Sequence, residues 1–212
     1  PALADDTPVV TVSGNVALVT DYRFRGLGLS GGDPAIQGGI TVSSKPGFYV
    51  GVWSSSLAQG NRSIELDDGT GVVKSYDVGG YGAQELDFSA GWTGEVTSGL
   101  KVDVGGTYYT YPNAVNRTAN IDFVTPTISG YPKFDSYSKY DTDYFEFYGK
   151  LMPTLGPVGF TFAAYYAPNQ DSLGGGDNLY LAADASVGVP HTPITLTAHA
   201  GYTDGFLTYT SS

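Results

Sequence analysis

Apolar and polar residues alternate with a period of two in nine segments of the chain. In residues 12–25, for example, Val16 and Leu18 share one face of an extended strand, while Asn15 stands on the other. Because successive side chains of a strand point to opposite faces, this pattern predicts strands rather than helices. The nine predicted strands are residues 12–25, 35–44, 48–57, 85–94, 100–111, 143–152, 158–167, 178–189 and 194–203.

The strands and their connections differ in length from those of soluble proteins. The strands span roughly 10 to 14 residues, against about 5 to 6 in soluble sheets and about 9 to 11 in a tilted membrane-crossing strand. Every second connection is a short turn, and the others are long loops, which are residues 26–34, 58–84, 112–142 and 168–177. Short turns at one rim and long loops at the other are typical of bacterial outer-membrane barrels.

The polar face of the predicted strands carries charges of both signs. If the apolar face contacts lipid, the opposite face lines a lumen. Such charges could filter solutes at a constriction, or they could pair in an ionic network that closes a narrow barrel. The predicted lumen-lining residues are Asp21, Arg23, Arg25, Glu85, Asp87, Lys101, Asp103, Glu146, Lys150 and Asp184.

Aromatic residues collect near the ends of the predicted strands, as they do at the two interfaces of a membrane. The predicted girdle comprises Tyr22, Phe24, Phe48, Trp92, Tyr108, Phe145, Phe147, Tyr166 and Tyr202. A closed barrel in lipid also satisfies every backbone hydrogen-bonding group. We therefore predict an all-β, antiparallel transmembrane barrel rather than a soluble sandwich or a lipocalin-like barrel.

Nine strands are an odd number, whereas bacterial single-chain barrels have even numbers. We therefore expect ten or twelve strands in the full-length protein, with this chain truncated at its C terminus. The end, residues 210–212, also lacks the terminal aromatic residue usual in such barrels. Residues 10–212 are predicted to form one barrel domain. Residues 1–9 are predicted to be a flexible mature N terminus, in which residues 2–4 match the end of a cleaved export signal.

Composition narrows the possible partners and chemistry. The 212 residues include no cysteine and two histidines, which excludes disulfide scaffolds and thiolate metal sites. The 21 acidic residues outnumber the 10 basic ones, giving a formal charge of -11. This excess argues against nucleic-acid and anionic-lipid surfaces, which require clustered Lys and Arg.

Motifs for catalysis and metal binding are weak. His199 with Asp184 and Ser186 could suggest a hydrolase, but no nucleophile elbow accompanies them. The acidic pairs in residues 67–68 and 141–143 could hold calcium, but neither has the spacing of an EF-hand loop. We therefore predict a protein that is not an enzyme and that needs no cofactor or metal.

Several blocks of the sequence resemble a known family. They are residues 15–26 (NVALVTDYRFRG), 32–39 (GDPAIQGG), 47–53 (GFYVGVW), 85–87 (ELD) and 201–205 (GYTDG). Together they resemble the TorF family of porins, long called Gcw_chp, whose pore-forming function is itself an inference. The resemblance implies an exported proteobacterial outer-membrane barrel of twelve strands, with further strands beyond Gly205.

Two functions follow as hypotheses. The first is an outer-membrane porin that passes small polar solutes or ions, with a conductance that changes when Arg23 or Asp103 is neutralised. The second is a structural barrel with a closed lumen that associates with other copies of itself through tyrosine-rich, charge-poor surfaces. In both, the surrounding partner is outer-membrane lipid.

Overall fold

The computed structural model describes residues 9–60, 62–67, 72–122, 133–139, 141–205 and 207. The predicted signal remnant, Asp68 and the C-terminal residues 210–212 lie outside this part of the chain. Within it, no helix is long and apolar enough to span a membrane. The single helical element among these residues is a short 3₁₀ turn at Asp171–Leu173.

Strands make up most of the described residues, and fifteen are numbered here in chain order. They are β1 (Val10–Val19), β2 (Arg23–Phe24), β3 (Leu27–Gly28), β4 (Ala35–Ser44), β5 (Phe48–Gly60), β6 (Ser63–Asp67), β7 (Val73–Gly80), β8 (Gly82–Thr97), β9 (Leu100–Thr110), β10 (Val115–Asp122), β11 (Lys133–Lys139), β12 (Tyr144–Leu155), β13 (Val158–Gln170), β14 (Gly176–Gly188) and β15 (Thr195–Gly205). Nine form one antiparallel sheet in the order β1-β4-β5-β8-β9-β12-β13-β14-β15. The predicted all-β, antiparallel class is therefore confirmed.

The nine predicted strands match the nine strands of this sheet, and the largest error lies in the first. It was predicted to continue to residue 25, but β1 ends at Val19. Beyond it the chain turns back, because the Leu29 amide donates to the Tyr22 carbonyl and β2 pairs with β3 in a hairpin. Gly26, with a φ of 89°, provides a turn conformation that an uninterrupted strand cannot contain.

Two of the long loops contain strands that the sequence pattern did not predict. Residues 58–84 include β6 and β7, and residues 112–142 include β10 and β11. These four strands form a second sheet in the order β11-β10-β7-β6. Their residues are mostly exposed or half-buried. Because no face of this sheet is fully buried, its sequence carries little of the alternation that predicts a strand.

The nine-stranded sheet has two chemically different faces. Its inner face carries Asp103 and Glu146, and its outer face carries Val104 and Phe147. The strand register keeps each set on its own face: Asp103 pairs with Lys150 across the ladder, and Val104 pairs with Gly149.

The sheet curves strongly around its inner face. Tyr22 packs against Trp53 of β5, and Arg25, three residues later, packs against Tyr180 of β14. Five strand spacings separate β5 from β14, about 24 Å in a flat sheet. β4 and β13 are also five spacings apart, yet residues of both border one cavity of about 490 Å³. The sheet must therefore bend around its inner face.

A core lies inside this curve. Its buried residues are Leu57, Tyr109, Tyr111, Tyr144, Ala167 and Leu173. Tyr22, Phe24 and Leu29, from the chain that follows β1, pack against it. The hydrophobic core is therefore enclosed by the sheet and by residues 20–34, which we call the inturned segment.

The predicted closed barrel is not present among the described residues. β1 pairs only with β4, and β15 pairs only with β14, so these two strands are the edges of the sheet. What the described residues form is a strongly curved, open antiparallel sheet.

Candidate functional site

The inturned segment is held in place by its own hydrogen bonds and by one strand of the sheet. The buried Ser30 hydroxyl accepts a bond from the Tyr22 amide at 2.8 Å and donates one to Asp21 at 3.0 Å. The Ala58 amide of β5 donates to the Leu29 carbonyl at 3.0 Å. These contacts direct the tip of the β2–β3 hairpin into the concave side of the sheet.

Arg25, at the tip of this hairpin, lies between several strands. Its Nη2 atom is 2.6 Å from Oε1 of Glu146 on β12, and the two side chains are 5% and 0% exposed. The guanidinium also lies over three aromatic rings, at 4.6 Å from Phe24, 5.1 Å from Tyr165 and 4.5 Å from Tyr180. A desolvated cation is stabilised both by its carboxylate and by the negative faces of such rings.

The backbone at Arg25 is unusual for a residue with a side chain. Its φ is 50°, in the left-handed region that costs a non-glycine residue about 1 kcal/mol or more. Nη1 of Arg25 and Oε2 of Glu146 are buried and make no hydrogen bond to the described residues. This contact therefore holds a strained turn, and one nitrogen and one oxygen of the pair have no protein partner among the described residues.

Two further acids face the inturned segment from β8. Glu85 is 1% exposed, and Asp87, two residues further along the same face, is half-buried. Asp87 pairs across the ladders with Trp53 and Tyr109. One carboxylate oxygen of each acid lacks a hydrogen-bond partner in the described chain. The β8 side of the concave face is therefore acidic.

A polar cavity lies nearer to the short turns. It has a volume of about 490 Å³, and its lining includes Thr107, Ser89 and Asp103. Asp103 accepts a hydrogen bond from Tyr49 at 2.7 Å and lies 3.4 Å from the ammonium group of Lys150. We call this space the inner cavity.

A second cavity lies towards the long loops. It has a volume of about 550 Å³ and is bordered by Phe24, Leu57 and Tyr144, among others. The inner face of β12 passes in sequence from Tyr144 through Glu146 to Lys150, which lines the inner cavity. The Arg25–Glu146 pair therefore lies between this outer cavity and the inner cavity.

The remaining predicted charges lie in other surroundings. Asp21 and Arg23 form a local pair at 2.5 Å, and the Arg23 side chain is 65% exposed. This guanidinium holds the pKa of the Asp21 carboxyl below its usual range. Lys101 is exposed at the start of β9. Asp21, Arg23 and Arg25 were predicted to share a strand face, but the turn after Val19 separates them, and of these three only Arg25 reaches the sheet interior.

His199 takes part in a hydrogen-bonded chain that includes Asp184, as weighed from sequence, but has Tyr180 in place of Ser186. Its Nδ1 lies 2.6 Å from Asp184, and its Nε2 lies 2.9 Å from the hydroxyl of Tyr180. Both ring nitrogens are therefore occupied, and Ser186 is the partner of neither. No cluster of three or more metal-ligating side chains occurs in the described residues. Asp143 instead accepts bonds from Tyr108, Thr110 and the amide of Tyr111.

The predicted girdle residues divide into two groups. Tyr22 and Phe24 were predicted on the outer face but turn inward and pack on the core, because they belong to the inturned segment. Phe48, Tyr108, Phe147, Tyr166 and Tyr202 are exposed on the outer face. Phe145 packs edge-on against Phe147, and Trp92 donates to the carbonyl of Pro46 at a short turn.

Sequence reasoning missed the tyrosines of the inner face. Tyr49 contacts Tyr148, whose ring lies beside those of Tyr165 and, beyond it, Tyr180. Tyr148 occupies the same alternation phase as Glu146 and Lys150 of β12, and Tyr180 the same phase as Asp184 of β14. That phase was the signal that could have found them.

Comparison with known proteins places the chain in a family and identifies no individual relative. No curated protein and no solved structure matches it. The family described as "Bacterial protein of unknown function (Gcw_chp)" matches residues 3–135 and 128–212. These two matches cover nearly the whole sequence. The chain therefore belongs to the Gcw_chp family.

Proposed function

We propose that the nine-stranded sheet forms the wall of a β-barrel in a bacterial outer membrane and that its inner face lines a pore for small polar solutes or ions. The observation that carries this proposal is the row of exposed apolar side chains on the outer face of the sheet. Val12, Val42 and Val50 lie side by side on β1, β4 and β5, and Leu181 lies beside Tyr202 at the other edge. All five side chains are exposed. A continuous apolar surface across nine strands is suited to lipid and unfavourable in water.

The lengths of the strands support the same proposal. The strands of the nine-stranded sheet have 10 to 16 residues. A tilted strand needs about 9 to 11 residues to cross the hydrocarbon core. An exposed apolar face opposite a polar, charged face is the arrangement of outer-membrane barrels.

The charges of the inner face favour cations. Glu85, Asp87 and Asp103 line it as acids, and Lys150 is already close to Asp103. A lumen with excess carboxylate concentrates cations and repels anions. We therefore propose a preference for small cations and neutral polar solutes.

A second function, a structural barrel with a closed lumen, is favoured by the contact between Arg25 and Glu146. This buried pair and the aromatic rings around it fill the space between the two cavities. If the inturned segment does not move, the barrel conducts nothing and acts through its surfaces. The two functions differ in one measurable property, which is conductance.

Single-channel recording in a planar bilayer, at two salt gradients, tests the proposal. We expect discrete ohmic steps whose reversal potential indicates cation preference, and we expect Asp103→Asn to weaken that preference. Glu65→Gln, a substitution in the second sheet, serves as the control and leaves selectivity unchanged. Folded protein that gives no current would contradict the porin proposal and support the closed structural barrel.

A further inference from the structure

We propose that the outer cavity is a binding site for a small, neutral aromatic molecule that carries a hydroxyl or N–H group. Its volume, about 550 Å³, is within the range of roughly 300 to 1,000 Å³ found for small-molecule sites. The site goes beyond the proposed transport, because a cavity of this kind can bind a ligand whether or not the barrel conducts.

The walls of the cavity are chemically unlike the rest of the inner face. The hairpin contributes Phe24 and Leu29, and the sheet contributes Leu57. The inner cavity, by contrast, is lined mainly by hydroxyl and charged side chains. An apolar wall within an otherwise polar interior favours a ligand with apolar surface to bury.

Tyrosine rings make the site suited to an aromatic ligand. The rings of Tyr81 and Tyr111 meet edge to face at 4.7 Å, and Tyr144 stacks on Tyr109 at 4.5 Å. Tyr111 and Tyr144 are at least nine-tenths buried, so their rings are already fixed by packing. A ligand ring that packs against fixed rings loses little to reorganisation of the protein. A phenolic oxygen can accept a hydrogen bond from a ligand hydroxyl or N–H, and a phenolic O–H can donate one to a ligand hydroxyl.

Among the described residues that border the cavity one is charged, and it is already paired, which is the reason for proposing a neutral ligand. Arg23 borders the cavity, but its guanidinium is paired with Asp21 at 2.5 Å. Arg25, beside the cavity, is paired with Glu146 at 2.6 Å. An ion entering the cavity would lose its hydration without meeting an unpaired charge on the residues that border it.

Gly28 offers a way to fill the cavity without straining the backbone. It borders the cavity, and a Cβ added there meets no atom within 4 Å. Gly149 provides the matched control. A Cβ at Gly149 is equally unobstructed, but this residue lies on β12 between Phe147 and Leu151, on the outer face of the sheet.

The test is calorimetric titration of the full chain, folded in lipid nanodiscs, with phenol and with indole. We expect saturable binding of one molecule per chain, weakened about tenfold or more by Gly28→Leu, because the added side chain occupies the site. Gly149→Leu should bind the ligand as the wild type does. Because this substitution is on the outer face, the variant also controls for ligand that partitions into the lipid. Leu27→Trp, which fills the same cavity from the neighbouring position, repeats the test if Gly28→Leu does not fold.

Three outcomes would overturn the proposal. The first is uptake that does not saturate and is equal in all variants, which is partitioning into lipid. The second is saturable binding that neither cavity-filling variant weakens, which places the ligand elsewhere. The third is tighter binding of benzoate or anilinium than of phenol, which contradicts a neutral ligand. None of these outcomes bears on conductance, so the porin proposal is tested separately.

Discussion

The guanidinium of Arg25 and the carboxylate of Glu146 form a buried ion pair, 2.6 Å between Nη2 and Oε1, across 121 positions of sequence. Arg25 is carried on a hairpin that leaves the wall of the sheet, and Glu146 belongs to the wall itself. The pair therefore fixes the inturned segment between the outer and inner cavities. We expect the stability of the fold, and the width of the proposed pore, to depend on this contact.

Removal of one partner should destabilise the protein strongly. Glu146→Gln leaves the buried Arg25 cation without its carboxylate, which costs about 3 to 5 kcal/mol in comparable buried pairs. We expect the urea midpoint of unfolding, followed by tryptophan fluorescence, to fall accordingly. Replacement of both partners, in the double variant Arg25→Met with Glu146→Leu, should recover much of the loss. Equal midpoints for Glu146→Gln and the wild type would show that the pair is not buried in solution.

If the chain conducts, Arg25 should limit the current. Arg25→Ala shortens the side chain that lies between the two cavities, so we expect a larger single-channel conductance. The matched control is Arg23→Ala, because Arg23 is two residues away but 65% exposed. We expect this variant to change the conductance much less. Equal conductances for all three proteins would mean that ions do not pass Arg25.

A charge should be tolerated differently on the two faces of β9. Val104 is exposed on the outer face, whereas Thr107 lines the inner cavity. Val104→Lys should destabilise the folded protein in liposomes by about 2 to 4 kcal/mol if the residue lies near the bilayer midplane. Thr107→Lys should cost less, because its ammonium group enters a polar space. The comparison is made by titrating folding with urea, and the opposite order would contradict a lipid-facing outer surface.

The short turns should differ in their tolerance of alanine. Gly47 has a φ of 100°, and a Cβ there collides with the carbonyl oxygen of Thr93. Gly156 has a φ of 60° and open space around it. Gly156→Ala should cost about 1 kcal/mol for the left-handed backbone, and Gly47→Ala clearly more, because the clash adds to the strain. Urea unfolding of both variants measures the difference, and similar losses would contradict the collision at Gly47.

Acid should loosen the inturned segment. Arg23, and with it Ser30, lowers the pKa of Asp21 below its ordinary value of 3.8. Because the folded pKa is the lower one, the Asp21 contribution is complete above about pH 4 and is lost as the pH falls through the folded pKa. Trp53 reports the change, since its ring contacts Tyr22.

The measurement is the emission of Trp53 as a function of pH, in a Trp92→Phe background. We expect a transition below pH 3.8 that is absent from Asp21→Asn. A transition of the same size in both proteins would assign it to other carboxyl groups.

Much of the architecture could be predicted from local pattern. The alternation of Val16 with Asn15, or of Val104 with Asp103, depends only on the parity of each position within its strand. Parity assigns a side chain to a face before any partner is known. For this reason the sequence alone predicted the nine strands and the polar and apolar face of each. It also placed Glu146 and Lys150 on the charged face.

The second sheet and the ends of the strands were less accessible. β10 and β11 have no face that is fully buried, so apolar and polar residues do not alternate regularly along them. Arg117 of β10 and Tyr137 of β11, for instance, are both exposed and contact each other. A strand without a buried face is stabilised by its neighbours in the sheet. The sequence of such a strand alone therefore gives little indication that a strand forms there.

The sequence by itself determined the nine strands of the larger sheet and the face that most of their side chains occupy, because both follow from the period-two pattern. Only the tertiary structure decided that the alternation at Tyr22 and Phe24 does not continue β1 and that Arg25 meets Glu146. The physical reason is that a turn with positive φ at Arg25 and Gly26 reverses the chain inside a curved sheet. The partner of Arg25 is then selected by that curvature, which arises from contacts between residues distant in sequence.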